Sequence, residues 1–367
     1  MPGHWLVGIL GGALIFAAVF SAIRTFLVPR GVPDRLTAYV FIISRYIFDL
    51  PWPGSREQRL AFYAPVSLLM LPIVWLTSLL LGYTGIYWGL GASGWGEAFT
   101  ISRLSLLYLG SNTMNLPGAT EFGFSETVLS LLLAAVLVSY LPTMYSAFSQ
   151  REANVTGLET RAGSPPSPLK MLRRYYLIQG LDQLAEVWES WQAWFEVVEE
   201  SHTALQPLVF YRSPQPDRSW VTAAGAVLDA AAIVSSTLDR PRDPQAELCI
   251  RAGYLCLDRI ARAFRIPYNA DPAPTDPISV THAEYDAVYD QLAATGVPLK
   301  TDREQAWCDF AGWRVNYDAA LIGLAVLTDA PPAPWSSDRV RRRRFFAAIG
   351  EARRVAAAAL EGQLDSE

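Results

Sequence analysis

The chemistry this sequence offers most directly is that of bare main-chain oxygens. From Glu97 to Leu109 the residues have a helical period, with Thr100, Leu104, Leu107 and Tyr108 set to cover one face. The segment is too short and too polar to cross a membrane, since it carries Glu97, Thr100, Ser102, Arg103 and Ser105. It stops at Leu109-Gly110-Ser111-Asn112-Thr113, and Pro117, Gly118 and Gly123 come before the next apolar run. A short helix that enters a bilayer and leaves as irregular backbone is tolerated only along a protein-enclosed or watery path. In cation channels such backbone carries the carbonyls that replace an ion's hydration shell. The same segment also reads as an extracellular loop with a surface helix.

Other candidate groups are fewer. His202 beside Glu199 and Glu200 could ligate a metal, or it could be a satisfied structural histidine. Arg212, in Tyr211-Arg212-Ser213, reads as an anchor to Asp229 or to the Glu199/Glu200 pair. Gly89-Leu90-Gly91-Ala92-Ser93-Gly94 matches a dinucleotide-binding pattern literally, but no strand precedes it, so it reads as a flexible turn. The C-terminal half has neither that pattern nor a Gly-Lys-Ser/Thr run. No catalytic set emerges, so we expect no enzyme, no metal and no cofactor. Arg339 with Arg341 to Arg344 is a basic run that reads as a solvated face or a contact to anionic lipid or an acidic neighbour.

The elements around the turn are membrane spans. Hydrophobic residues make up 51% of the 367 and charged residues only 18%, below the ~25% usual in soluble domains. The shortfall is concentrated in the first ~150 residues. Trp5 to Ile23 is apolar apart from Ser21, long enough for a ~30 Å hydrocarbon core. No basic stretch precedes it and no small-residue cleavage site comes after it, so it does not read as a signal peptide. Gly8 and Gly12 form a small-xxx-small pair suited to close helix approach. Leu60 to about Ile86 is a second span, with Pro65 and Pro72 as bends, and Thr127 to Phe148 a third, with Pro142. Trp75, Tyr87, Trp88, Tyr140 and Tyr145 add aromatic bulk, several of them near span ends.

Charge sets the expected topology. Arg24, Arg30, Arg35, Arg45, Arg56 and Arg59 lie between the first and second spans, and only Arg103 lies between the second and third. Basic loops stay in the cytoplasm. The N-terminus and the 87–126 loop are therefore expected outside, and the chain after the third span, with Arg151 and Arg161, inside. Arg35 to Leu50 reads as an amphipathic helix along the inner membrane face. Asn154-Val155-Thr156 is a glycosylation sequon on the wrong side for use. The three cysteines, Cys249, Cys256 and Cys308, read as reduced, buried thiols in a cytosolic compartment. The net charge of -5 points to no nucleic-acid partner.

The C-terminal half reads as a helical domain. Gly157 to Pro168 is a Ser/Pro/Gly-rich linker. Helices are expected over about 170–205, with Trp188, Trp191 and Trp194 on a core face, and over Asp217–Leu238, Ala246–Phe264, His282–Thr295, Asp302–Leu327 and Asp338–Leu360. Pro267 to Pro277 is a Pro/Asp loop.

A family resemblance sharpens this. Residues of about 60–148 resemble the two-span pore module of the bacterial potassium channel family. Leu27-Val28-Pro29-Arg30-Gly31, leading to Leu36-Thr37, is similar to the segment before that module. Ser139-Tyr140-Leu141-Pro142 and Tyr145-Ser146-Ala147-Phe148-Ser149-Gln150-Arg151-Glu152 are similar to the segment after it. Arg161-Ala162-Gly163-Ser164-Pro165-Pro166 resembles the link to the family's cytoplasmic domain. Trp188-Glu189 with Trp191, Glu200-Ser201-His202, Tyr211-Arg212-Ser213, Ser219-Trp220 and Leu228-Asp229 resemble landmarks further on.

The resemblance implies that the turn is a selectivity filter of the Thr-x-Gly-aromatic-Gly-Asp type. Here Tyr108 stands for the Thr, Leu109 for x, Gly110 for the first glycine, Ser111 for the aromatic, Asn112 for the second glycine and Thr113 for the Asp. Asn tolerates positive φ better than most residues. Losing the aromatic removes a packing cuff, and losing the Asp removes a charge at the outer mouth. The expectation is an all-α membrane bundle with a re-entrant pore helix and a cytoplasmic helical domain. Three parts are expected: 1–58, first span and linker helix; 59–150, pore-like module; 151–367, cytoplasmic domain. One pore segment per chain cannot enclose a path, so the resemblance implies a homotetramer in lipid. It would pass monovalent ions, potassium favoured, with altered selectivity. The other reading is a non-conducting membrane sensor or scaffold whose helical domain binds a partner.

Overall fold

An apolar chain in lipid must satisfy its backbone within itself, and the chain does so as helices. The computed structural model describes residues 2–26, 35–50, 56–107, 116 and 118–339. Among these there is no strand, only an isolated bridge between Leu238 and Leu299. The chain divides into two compact units: Met1–Ile47 with Phe62–Ser146, and Phe48–Ala61 with Ala147–Glu367.

The first unit holds α1 (Pro2–Phe26), α2 (Arg35–Phe48), most of α3 (Arg56–Gly89), α4 (Trp95–Leu106) and the first part of α5 (Ala119–Ala162). Three of these helices, α1, α3 and α5, are long and apolar enough to cross a membrane. They leave Ile9, Leu10, Phe16, Ile73, Leu132 and Val138 exposed, as suits helices whose solvent is hydrocarbon. The prolines Pro65, Pro72 and Pro142 lie inside α3 and α5.

Glycine decides how α1 meets α3. A methyl on Gly11 would overlap the Gly82 carbonyl, and one on Gly89 would lie 3.1 Å from the His4 carbonyl oxygen. Gly8 and Gly85 line the same seam. The expected Gly8/Gly12 pair is therefore corrected to Gly8/Gly11, since nothing lies within 4 Å of a Cβ built on Gly12. Polar pins join the apolar contacts. Trp75 Nε1 donates to Ser21 Oγ at 3.1 Å, Tyr63 OH to the Phe41 carbonyl at 3.1 Å, and the Thr25 and Thr37 hydroxyls lie 2.7 Å apart. The exposed face of α2 is apolar. Arg45 is buried, its guanidinium over the Tyr63 ring, while Tyr39, Ile43 and Tyr46 are exposed.

The second unit is built on α8 (Trp220–Ser236). It is hydrophobic all round, and every residue but Ser235 is buried. Such a helix belongs at the centre. Around it pack α6 (Pro168–Leu177), α9 (Pro244–Ala263) and α11 (Arg303–Thr328), with α7 (Leu184–Ala204) on α9 and α10 (His282–Thr295) on α6. Trp188, Trp191 and Trp194 are core residues, as their spacing indicated.

Two expectations are corrected. The linker begins at Gly163, because α5 runs on to Ala162. The single helix over 170–205 is two, since Gln179 takes a left-handed φ of 57° before Gly180 and α7 starts at Leu184. Within the last predicted helix, residues 337–339 form a 3-10 turn, and 340–360 lie outside the described residues.

Candidate functional site

Residues Tyr108, Leu109, Gly110, Ser111, Asn112 and Thr113 lie outside the described residues. Their supports are described. Helix α4 is twelve residues long, about 18 Å at 1.5 Å per residue, too short for a span. Its buried residues are Ala98, Ile101, Ser102 and Ser105. Thr100, Leu104 and Leu107, expected to share a face, are not among them, and Leu107 is exposed, while Tyr108 lies outside the described residues. Beside Ile101, the small residues of this face bring hydroxyls to the neighbouring helices, Ser102 Oγ lying 3.0 Å from the Leu80 carbonyl of α3.

At the centre of this face is a fully buried carboxylate, Glu126 of α5. Its Oε1 accepts from Ser102 Oγ of α4 at 2.6 Å, and its Oε2 accepts from Tyr87 OH of α3 at 3.1 Å. One side chain thus ties three helices. Above it Tyr83 OH and Ser125 Oγ lie 2.7 Å apart. Further along α5, Thr127 Oγ1 donates to the Ser105 carbonyl at 2.8 Å, and Ser130 Oγ lies 3.4 Å from the Leu106 carbonyl. These carbonyls belong to the last turn of α4, where a helix has no partners of its own. The C-terminal end of α4, next in sequence to residues 108–113, is therefore fixed by hydroxyls.

Glu126 was missed by sequence reasoning, which began the third span at Thr127. The available signal was a single acidic residue on the lip of an apolar run. Ionisable groups among membrane helices are rare and usually functional. Arg103 is exposed, and Glu97 accepts instead from Ser93 N and Oγ, at 2.7 and 2.6 Å.

The second unit distributes the remaining candidates. His202 is fully buried, with Nε2 3.1 Å from Arg151 Nη1 and Nδ1 3.1 Å from Ser201 Oγ. Arg151 can only donate, so Nε2 accepts and Nδ1–H points to the serine. Burial first, and then the Arg151 charge, push His202 well below the usual histidine range. Glu199 pairs with Arg259 rather than His202. No group of three or more metal-ligating side chains is found among the described residues.

Arg212 reaches neither Asp229 nor the Glu199/Glu200 pair. It donates to the Thr328 and Asp329 carbonyls at 3.2 and 2.6 Å and to Asp329 Oδ2 at 3.2 Å, closing the C-terminus of α11. Asp229 is instead met by Arg314 Nη1 at 2.6 Å and Tyr317 OH at 2.9 Å. Arg314 also donates to Asp318 at 2.7 Å and to the Trp335 carbonyl at 2.7 Å. Burial opposes the charge on Arg314, but Asp229 and Asp318 outweigh it and raise its pKa. Cys249 and Cys256 are buried and free, and burial raises both thiols. Cys308 is exposed, against expectation. Arg339 pairs with Glu284 at 2.6 Å, while Arg341 to Arg344 lie outside the described residues.

No family model, curated protein or solved structure matches the chain.

Proposed function

We propose that this chain is a subunit of an ion-conducting membrane oligomer, similar to potassium channels in plan but altered in selectivity. The observation that carries the reading is the anchorage of α4. A helix too short to span is held by its buried face to two long apolar helices, through Glu126, Ser102 and Tyr87. It ends at Leu106, just before the Tyr108–Thr113 turn. A helix C-terminus carries about half a negative charge, which favours a cation nearby over an anion. In this reading the turn dips into the bilayer, and Gly110 and Asn112 let its carbonyls face a shared axis. Four subunits enclose the path, α5 lines the inner cavity, and the C-terminal helical unit lies in the cytoplasm with the first loop. Ser111 and Thr113 remove the aromatic cuff and outer charge that strict potassium selection would use.

The test is flux from liposomes holding purified protein under potassium, sodium and chloride gradients. Cation flux that changes with Gly110→Ala or Asn112→Ala supports the reading. Silence under all three gradients overturns it and leaves a membrane-tethered sensor or scaffold.

A further inference from the structure

Helix α6 has two unlike faces. Met171, Leu172 and Tyr175 are buried in the core of the second unit. Lys170, Arg173, Arg174 and Leu177 are exposed, and their i, i+3, i+4, i+7 spacing puts them on one face. Ile178 comes directly after. Past Tyr145, Leu177 and Ile178 are the most exposed large apolar side chains among the described residues, at 68% and 63%. Arg161, at the end of α5, adds a fourth exposed cation, its Nε 3.2 Å from Tyr175 OH. Arg174 donates to the Thr160 carbonyl. Among the described residues none of these four cations forms an ion pair, and the nearby Glu159 carboxylate is taken by Arg218.

A basic face alone is at home in water, but two large apolar side chains at its end are not. Exposed apolar surface rimmed by polar groups marks an interaction site. Four cations beside it call for a partner that is acidic and also offers apolar side chains. The chain contains such a segment. From Val355 onwards it has no cation, and it carries Glu361, Asp365 and Glu367 together with Leu360 and Leu364.

Residues 340–367 lie outside the described residues, but the point from which they depart is described. Arg339 pairs with Glu284 in the first turn of α10. At the other end of α10, a Cβ on Gly296 would lie 3.0 Å from Tyr176 OH of α6. The way from Arg339 to α6 is thus the length of α10, about 21 Å at 1.5 Å per residue. Residues 340–359 cover about 30 Å even at that rise. A segment tethered within reach acts at an effective concentration of about millimolar, an advantage no separate partner has.

We propose that the segment Leu360–Glu367 docks on the outer face of α6, its carboxylates on Lys170, Arg173 and Arg174 and its leucines against Leu177 and Ile178. The contact is independent of conduction.

The test is zero-length carbodiimide coupling of the full-length chain in detergent, read by mass spectrometry. The lysines of the sequence are Lys170 and Lys300, so the products are few. We expect Lys170 coupled to Glu361, Asp365 or Glu367, with Lys300 coupled to Asp309, 3.9 Å away, as the control. Arg173→Glu should lower the Lys170 product about tenfold, because like charges then meet. Adding Asp365→Arg should restore it through Glu361 and Glu367. Coupling at Lys300 with none at Lys170 overturns the proposal. Chains with Lys170→Arg, co-expressed with chains carrying Glu361→Gln, Asp365→Asn and Glu367→Gln, can couple only between copies. Product from that mixture assigns the segment to a second copy and overturns the same-chain contact. Ending the chain at Ala359 should speed hydrogen exchange at residues 176–180. Exchange that truncation leaves unchanged, but that phosphatidylglycerol in the micelle slows, gives this face to lipid and overturns the proposal too.

Discussion

Among the described residues each unit buries one carboxylate completely, Glu126 and Asp229, and the two are treated in opposite ways. Asp229 meets a guanidinium at 2.6 Å, which has further acceptors in Asp318 and the Trp335 carbonyl. Glu126 meets only hydroxyls, Ser102 and Tyr87, and no arginine, lysine or histidine pairs with it in the described residues. Taking a charge from water is costly unless it is paired and hydrogen-bonded. The Asp229 arrangement answers that cost with an opposite charge and reads as architecture. The Glu126 arrangement answers it with neutral dipoles alone.

The largest effect should come from breaking the balanced site. Arg314→Met leaves Asp229 buried with no cation and should destabilise the second unit by about 3–5 kcal/mol, read as a lower melting temperature. The double variant Asp229→Leu with Arg314→Met should recover most of that loss. If the single and double variants melt alike, Asp229 is not the reason that Arg314 matters.

Next comes the unbalanced site. Glu126→Ala takes the carboxylate from Tyr87, a loss of about 1–3 kcal/mol for an unsatisfied group, leaves Ser102 with only the Leu80 carbonyl, and should abolish flux. Glu126→Gln keeps a side chain that can bond both hydroxyls and should retain much of it. Equal flux from Glu126→Ala and wild type would remove the anchoring role.

A third carboxylate sharpens the contrast. Asp258 is partly buried, its Oδ1 has no partner, and burial pushes its pKa up to about 7 against the opposing pull of Arg262. An acid whose folded pKa is raised stabilises the fold less as pH climbs from the unfolded value near 4 through 7. Asp258→Asn should therefore raise the melting temperature above pH 7, by roughly 2–4 °C per kcal/mol for a unit of this size. The gain should vanish below pH 4. A gain independent of pH would place its origin elsewhere.

The smallest effect is expected at Arg212. Its loss uncaps α11, so Arg212→Met should cost about 1 kcal/mol. Faster hydrogen exchange at Val326 to Asp329 is the measurement.

What the sequence made legible was local. The three apolar runs, the tryptophan stripe and the His282–Thr295 helix are all consequences of period and composition within one stretch. What it concealed was tertiary pairing. Asp229 and Arg314 are 85 residues apart, and Arg212 and Asp329 are 117 apart, so no local pattern joins them. The break after α6 was hidden because Gln179, not a glycine, takes the left-handed turn. Glu126 was in plain view but counted as the edge of a span, because only the approach of α3 and α4 makes it interior. The turn residues Tyr108 to Thr113 rest on the sequence alone.

The α1–α3 seam has a mechanical corollary. Rotating α1 by a single residue, about 100°, would swing Ile9 towards α3 in place of Gly8. A Cβ at that place would already lie 3.8 Å from main chain at Gly85 and Gly89, and the γ carbons of Ile9 reach further, so the glycine face favours one rotational setting of the two helices. The glycines act as a gauge that fixes how the first helix is keyed to the second.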